Sequence, residues 1–162
     1  MSAAVRAAIG LGANLADPAA AIARAVDAIA RLPGCSLAAV SPYYRTAPVD
    51  ATGPDFVNAV ALVDTTRPPA ELLVQLLAIE QQAGRERPAR NAPRTLDLDL
   101  LLYGDARVDT PALQVPHPRM HLRAFVLVPL LDVWPDAVVP GRGAVRDLLA
   151  QVRDQPIERL EA

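Results

Sequence analysis

Lysine is missing from this chain: all 16 of its basic residues are arginine. Genome composition is the simplest cause of such a bias, but the physical consequence holds whatever the cause. A phosphate-binding loop of the Walker type needs a lysine and is excluded. Any phosphate bound here is gripped by planar guanidinium forks rather than by ammonium point charges. Cysteine is nearly as scarce. The single Cys35 excludes an internal disulfide and gives no support to a thiolate metal site. Aromatic residues supply 4% of 162 positions against 52% hydrophobic residues overall, so the interior must be mostly Ala, Val, Leu and Ile. No apolar run approaches the roughly 18 residues of a membrane span. The Ala-rich start is broken by Arg6, Asn14 and Asp17 before a secretory apolar core develops. A formal net charge of −2 argues against a nucleic-acid partner, whose binders carry a basic excess. The expectation is a cytoplasmic protein with neither membrane nor nucleic acid as partner, and residues 1–162 amount to a single domain.

What is present is ordered by periodicity and by proline, whose 16 residues are about twice the usual share. Val5 to Gly12 is small, apolar and β-tolerant, a first strand. Asp17 followed by Pro18 marks a helix start, with aspartate as N-cap and proline at the first helical position, where its missing N–H costs nothing. Ile22, Val26 and Ile29 give that helix one face that seeks a core, and Pro33-Gly34 ends it. Cys35 to Tyr44 reads as a strand that Pro42 confines to an edge or a bulge. In a strand from Phe56 to Thr65, Val57, Ala59, Ala61 and Val63 share one face, and Phe56, Asn58, Val60 and Leu62 the other. Pro68-Pro69 opens a helix with the stripe Leu72, Leu76, Ile79 and Ala83, capped by Gly84. Leu96 to Tyr103 is a further strand. Two short helices follow, Phe125 to Trp134, interrupted by Pro129, and Val145 to Val152. The order strand–helix–strand–strand–helix–strand predicts an α+β, ferredoxin-like sandwich, an antiparallel sheet with helices packed on its faces.

The chemistry concentrates around Leu96-Asp97-Leu98-Asp99-Leu100. Strand alternation turns the three leucines into the core and leaves both aspartates on the opposite face, about 6.6 Å apart along the strand. Two carboxylates so placed repel, and burying them without a counter-charge is costly. They are either a solvated outer face or ligands of a divalent cation. Oxygen-only ligands with room for water and phosphate suit Mg²⁺. Arg85, Arg87, Arg90 and Arg94 fall in one short loop just before the pair, opposed only by Glu86. A magnesium polyphosphate needs both halves, carboxylates for the metal and cations for the remaining oxygens. Glu80 lies on the Leu73–Leu77 flank of its helix, near a C-terminus whose dipole disfavours it. Either it pairs with the arginine loop or it sits on a solvated shoulder. Phe56 and Asn58 share a strand face and offer a stacking plate beside an amide, which suits a flat heterocycle, although on residue pattern alone plain core is the commoner role for Phe56, and Phe125 reads the same way. His117 and His121 are four apart, but Pro116 and Pro118 make a zinc-clipping helix improbable; His117 is better read as a stiffly held phosphate donor. Gly10-Leu11-Gly12 begins like a dinucleotide fingerprint, but Leu15 stands where its third glycine belongs.

Pro93-Arg94-Thr95-Leu96-Asp97-Leu98-Asp99, continued by Leu100-Leu101-Leu102-Tyr103-Gly104, resembles the signature of the 6-hydroxymethyl-7,8-dihydropterin pyrophosphokinases of folate biosynthesis. Further matching segments include Gly10 to Leu15, Tyr43 to Thr46, Phe56 to Ala59, Glu80 with Gly84 to Arg87, Val115 to Met120 and Arg123 to Leu130. The resemblance implies ATP as co-substrate and two Mg²⁺ ions held by Asp97 and Asp99. It implies Phe56 and Phe125 as plates around the pterin, with Asn58 and the backbone of Thr46, Ala47 and Val49 reading its edge. Glu80, Arg85, Arg94, Leu100, His117 and Arg123 would contact the nucleotide, and Arg87 would close over the site. Three mobile loops are implied, near residues 13–16, 47–55 and 84–94, and a monomer is expected. Two departures stand out. Asn91-Ala92 replaces the family's usual Trp-Gly in a loop one residue shorter, and Pro118 follows His117 where an aromatic is common. Both bear on loop closure and adenine contact rather than on the metal ligands. Residue pattern alone leaves two other classes open, a ligand-sensing domain of the same fold and an Asp-x-Asp glycosyltransferase, for which the chain is short.

Overall fold

A computed structural model of the chain describes residues 4–14, 17–47, 55–84 and 96–160. The sheet is built on β1 (Val5–Ala13), β2 (Cys35–Val40), β3 (Tyr44–Thr46), β4 (Phe56–Thr65) and β5 (Asp97–Tyr103), with helices α1 (Pro18–Ala30) and α2 (Pro69–Gly84) between them. After β5 come a hairpin of β6 (Val108–Asp109) and β7 (Gln114–Val115), a 3-10 turn at Met120–Leu122 and helix α3 (Ala124–Val133). A second hairpin of β8 (Val138–Val139) and β9 (Gly143–Ala144), helix α4 (Val145–Leu149) and β10 (Glu158–Arg159) complete the order. The main sheet runs β10-β3-β4-β1-β5, antiparallel at every pairing, with β2 also on β4. This is the ferredoxin-like α+β arrangement.

Local chemistry accounts for most boundaries. The Asp17 carboxylate accepts a hydrogen bond from the Ala20 N–H at 3.2 Å, the N-cap anticipated before Pro18. The strand expected over Cys35 to Tyr44 is two strands. Pro42 has no N–H to give to a ladder, and pairing with β4 lapses over Ser41–Tyr43 before resuming in β3. Ser41 spans the gap, its N–H donating to the Val60 carbonyl and its hydroxyl accepting from the Val60 N–H, each at 2.9 Å. Pro129, expected to interrupt its helix, instead lies inside α3. The lost hydrogen bond is outweighed by burial of Val126, Leu127 and Leu130, each worth about 1.5–3 kcal/mol.

Two cores form, one on each face of the sheet. Ile22 and Ile29 of α1 and Leu72 and Leu76 of α2 pack on Ile9, Leu11, Val63, Leu98 and Leu100. On the other face Leu127 and Leu130 of α3 and Val145 of α4 pack on Ala8, Val60, Leu62, Leu101 and Leu102. Leu101 and Leu102 point the same way because β5 carries a bulge: Ile9 pairs with Leu100 and Ala8 with Leu102, leaving Leu101 extra. Tyr103 thereby returns to the α1–α2 side.

Candidate active site

The second face is only partly covered by α3. Beyond Ala8 and Val60 the inward positions become Gly10 and Gly12 on β1, Asn58 and Phe56 on β4, and Asp99 and Asp97 on β5. The register aligns them in rungs: Asn58, Gly12 and Asp97 are direct neighbours across three strands, and Val60, Gly10 and Asp99 form the next rung. A pocket of about 200 Å³ opens there, walled by Thr46, Phe56 and Asn58 on one side and Arg123 and Phe125 at the start of α3 on the other. The two glycines are its floor. Glycine weakens a strand and often marks where another group must come close to the backbone. A Cβ built on Gly12 would stand 3.0 Å from Asn58 Nδ2 and one on Gly10 3.3 Å from the Leu101 side chain. These glycines look like a failed dinucleotide motif in the sequence; the signal for their role was that they alternate within a strand.

Asn58 and Thr46 are both buried. The Thr46 hydroxyl donates to Asn58 Oδ1 at 2.8 Å, which turns the amide's two Nδ2 donors toward Gly12 and the pocket. A buried amide held this way presents hydrogen-bond donors to the pocket. The Arg123 guanidinium lies 5.4 Å from the centroid of the Phe125 ring, a cation–π contact that brings positive charge to the mouth of the pocket.

A second and larger groove, about 460 Å³, lies on the other side of β5 and shares Asp97 and Asp99 with the first. Glu80, Leu73 and Leu77 of α2 line it, together with Leu100, Leu113 and His117. Leu100 is buried, so it offers this groove little side-chain surface. His117 is held by its neighbours: its N–H donates to the Leu101 carbonyl at 3.0 Å, and its Nδ1 accepts from the Arg119 N–H at 3.1 Å. The neutral ring then carries its proton on Nε2, a donor. Desolvation lowers the His117 pKa, Asp99 opposes that shift, and Arg123 and Arg119 add to it. The imidazole is thus a neutral donor at neutral pH.

Glu80 has a role that sequence reasoning missed. β5 is an edge strand, and its Leu98 N–H points off the sheet, where Glu80 Oε2 accepts it at 2.6 Å. A charged acceptor on that N–H fixes the middle residue of Asp97-Leu98-Asp99 and so the separation of the two acids. Glu80→Leu should leave the N–H unpaired at a cost of about 1–3 kcal/mol and depress kcat more than it raises either KM. Glu80→Gln retains an acceptor and should restore most of the rate. Steady-state kinetics of the two variants beside their melting curves decides it; equal kcat in all three proteins would deny Glu80 this role.

Of the residues singled out from sequence, Thr46, Ala47, Phe56, Asn58, Asp97, Asp99, Arg123 and Phe125 meet in the first pocket. Glu80, Leu100 and His117 meet the same aspartates from the second. Val49, Arg85, Arg87 and Arg94 lie outside the described residues, as do most of the three expected loops and the Asn91-Ala92 departure.

An acid pair between an amide-and-aromatic pocket and a groove with a histidine donor, on a ferredoxin-like sheet, defines a site where two cavities meet at the same two side chains. Residues 8–135 match the family described as 7,8-dihydro-6-hydroxymethylpterin-pyrophosphokinase (HPPK). The chain is 49% identical over 153 residues to the 2-amino-4-hydroxy-6-hydroxymethyldihydropteridine pyrophosphokinase of Pseudomonas aeruginosa, covering 94% of each. To the enzyme of the same name in Methylorubrum extorquens it is 44% identical over 157 residues, 96% of this chain and 99% of that one. In fold it is similar to crystal structures of Plasmodium falciparum HPPK-DHPS. The wild type with pterin and p-hydroxybenzoate superposes with a TM-score of 0.73 at 14% identity over 94% of this chain. The chain spans only 44% of that longer protein. The chain belongs to the HPPK family.

Proposed function

We propose that the chain performs its family's reaction with Asp97 and Asp99 as the hinge between two substrate sites, pterin in the glycine-floored pocket and ATP in the groove along α2. The reaction transfers diphosphate from ATP to the hydroxymethyl group of 6-hydroxymethyl-7,8-dihydropterin and releases AMP, a step of folate biosynthesis. The observation that carries the assignment of sites is that both cavities share the same two carboxylates.

Phosphoryl transfer asks a protein mainly for positioning and charge neutralisation. Asn58, with its amide oriented by Thr46, reads the edge of the pterin, while Phe56 and Phe125 hold its faces and Ala47 and Val49 contribute backbone. That leaves the hydroxymethyl arm directed at the aspartates. In the groove, the α2 leucines and the backbone of Leu100 flank the base, and His117 donates from Nε2 to a phosphate oxygen. Arg85, Arg94 and Arg123 neutralise non-bridging oxygens, and Arg87 closes over them. The donor set suits hard cations: two oxygen-only carboxylates, Asp97 half-buried and Asp99 exposed, leave coordination positions for phosphate and water. Two Mg²⁺ ions held by Asp97 and Asp99 would supply neutralisation of the β- and γ-phosphates and acidify the attacking hydroxyl. The reading takes the chain as a single pyrophosphokinase domain that works as a monomer in the cytoplasm.

The test is product analysis. Incubation with ATP, Mg²⁺ and hydroxymethyl-dihydropterin should yield AMP and pterin diphosphate in equal amounts, with no AMP when either pterin or Mg²⁺ is omitted. Release of ADP, or AMP formation independent of pterin, would overturn the reading.

A further inference from the structure

We infer that Gln155 is a positioning residue for the pterin pocket, its amide clamping the backbone on both sides of Arg123 and thereby fixing how Arg123 and Phe125 enter the site. The observation is a two-point contact. Gln155 Oε1 accepts from the Ala124 N–H at 2.8 Å, and Gln155 Nε2 donates to the Leu122 carbonyl at 2.9 Å. One planar amide therefore bridges residues 122 and 124 and fixes the extended residue between them, Arg123 at φ −129 and ψ 112.

The start of α3 needs such help. Its first N–H groups have no partner within the helix, and an N-cap residue normally supplies one from a Ser, Thr, Asp or Asn side chain. Here the N-cap is Arg123, whose side chain makes no capping bond and is instead stacked on Phe125. Gln155 takes over the capping from 31 residues away, which frees the Arg123 side chain for the pocket. Its own place is secured on two sides. The Gln155 N–H donates to the carbonyl of Val152 at 3.1 Å, and Val152 is buried in the core beneath α3. A few residues on, β10 pairs with Tyr44 and Arg45 of β3, and the Leu160 N–H donates to the Tyr43 carbonyl at 2.8 Å. β3 carries Thr46, the residue that orients Asn58. Residues 155–160 therefore strap the Phe125 wall of the pocket to its Thr46 wall. A stacking ring works only at the right distance and tilt, and small misplacements are expensive in binding and rate.

The inference rests on Phe125 being a pterin plate, and a double-mutant cycle separates the two. Pterin affinity is measured by calorimetry in the presence of Mg²⁺ and a non-hydrolysable ATP analogue, for wild type, Gln155→Met, Phe125→Ala and the double variant. Methionine matches glutamine in length but makes neither bond, and affinity should fall about tenfold. In the Phe125→Ala background the same change should matter less than about twofold, because the ring it positions is gone. A general loss of stability would instead weaken binding alike in both backgrounds. Should Gln155→Met fail to fold, Gln155→Glu keeps the acceptor for Ala124 N–H, favoured at a helix N-terminus, and should show a smaller loss with the same dependence on Phe125. Wild-type affinity in a folded Gln155→Met protein, with Phe125→Ala weakened, would sink the clamp alone. Unchanged affinity in Phe125→Ala would sink the plate and the clamp with it.

Discussion

Asp99→Asn should lower kcat by about 10²–10³-fold while leaving the melting temperature close to wild type, and Asp97→Asn should do the same. Asparagine keeps the shape of the side chain and loses the charge that a divalent cation requires. The fold has little stake in the Asp99 carboxylate. Leu98 and Leu100, which anchor β5 in the core, are untouched, and Asp99 is exposed; substitutions at such positions usually change stability by no more than about 0.5 kcal/mol. The two variants should also need more Mg²⁺ for half-maximal rate, which a purely steric effect would not produce. Turnover near wild type in either protein, measured as AMP release under saturating ATP and Mg²⁺, would remove the pair from the metal site.

Gly12→Val should abolish pterin binding in the accessible range, a loss of at least about 10²-fold or 2.7 kcal/mol, and leave nucleotide binding nearly intact. Valine suits a strand, and Gly12 has an ordinary extended backbone, so β1 should still form. The obstacle is overhead: the new Cβ meets Asn58 Nδ2 at 3.0 Å, and Asn58 cannot swing aside without breaking its bond to Thr46. The two γ-methyls would then occupy the floor of a pocket of only about 200 Å³. Gly12→Ala should fall between the two. Calorimetry with pterin and with the nucleotide analogue, run side by side, checks both halves. Full pterin affinity in the valine variant would show that the ring lies elsewhere.

Much of this was legible in the chain because it depends on neighbours in sequence. Period-two alternation in Phe56–Thr65 and in Leu96–Leu100 assigns faces correctly, and Asp17-Pro18 marks a helix start through purely local hydrogen bonding. The two-strand form of residues 35–46 was half visible: Pro42 forecasts a defect, but only the Ser41 bridge to Val60 shows how the chain resumes on the same edge. Three features of the site were out of reach for a different reason. The Glu80 bond to Leu98, the Thr46 bond to Asn58 and the Gln155 clamp on α3 join residues 18, 12 and 31 positions apart. No periodicity encodes such pairs; they exist only after the sheet is assembled. Gly10 and Gly12 were visible but left without a role, since a glycine in a strand says that something comes close without saying what.

The bulge in β5 places a condition on length where one might look for a condition on residue type. Upstream of it the strand turns both aspartates toward the two cavities; downstream it buries two consecutive leucines and then turns Tyr103 back, so that its hydroxyl donates to the Arg67 carbonyl. Any apolar side chains of similar volume can fill positions 100–102. Deleting one residue removes the bulge, so strict alternation keeps the tyrosine on its side of the sheet and the α3 face loses one leucine. Inserting one residue instead carries the tyrosine across the sheet and strips its partner. Across relatives this stretch should therefore vary in its letters, and an insertion between the second aspartate and the tyrosine should be rarer than a one-residue gap there.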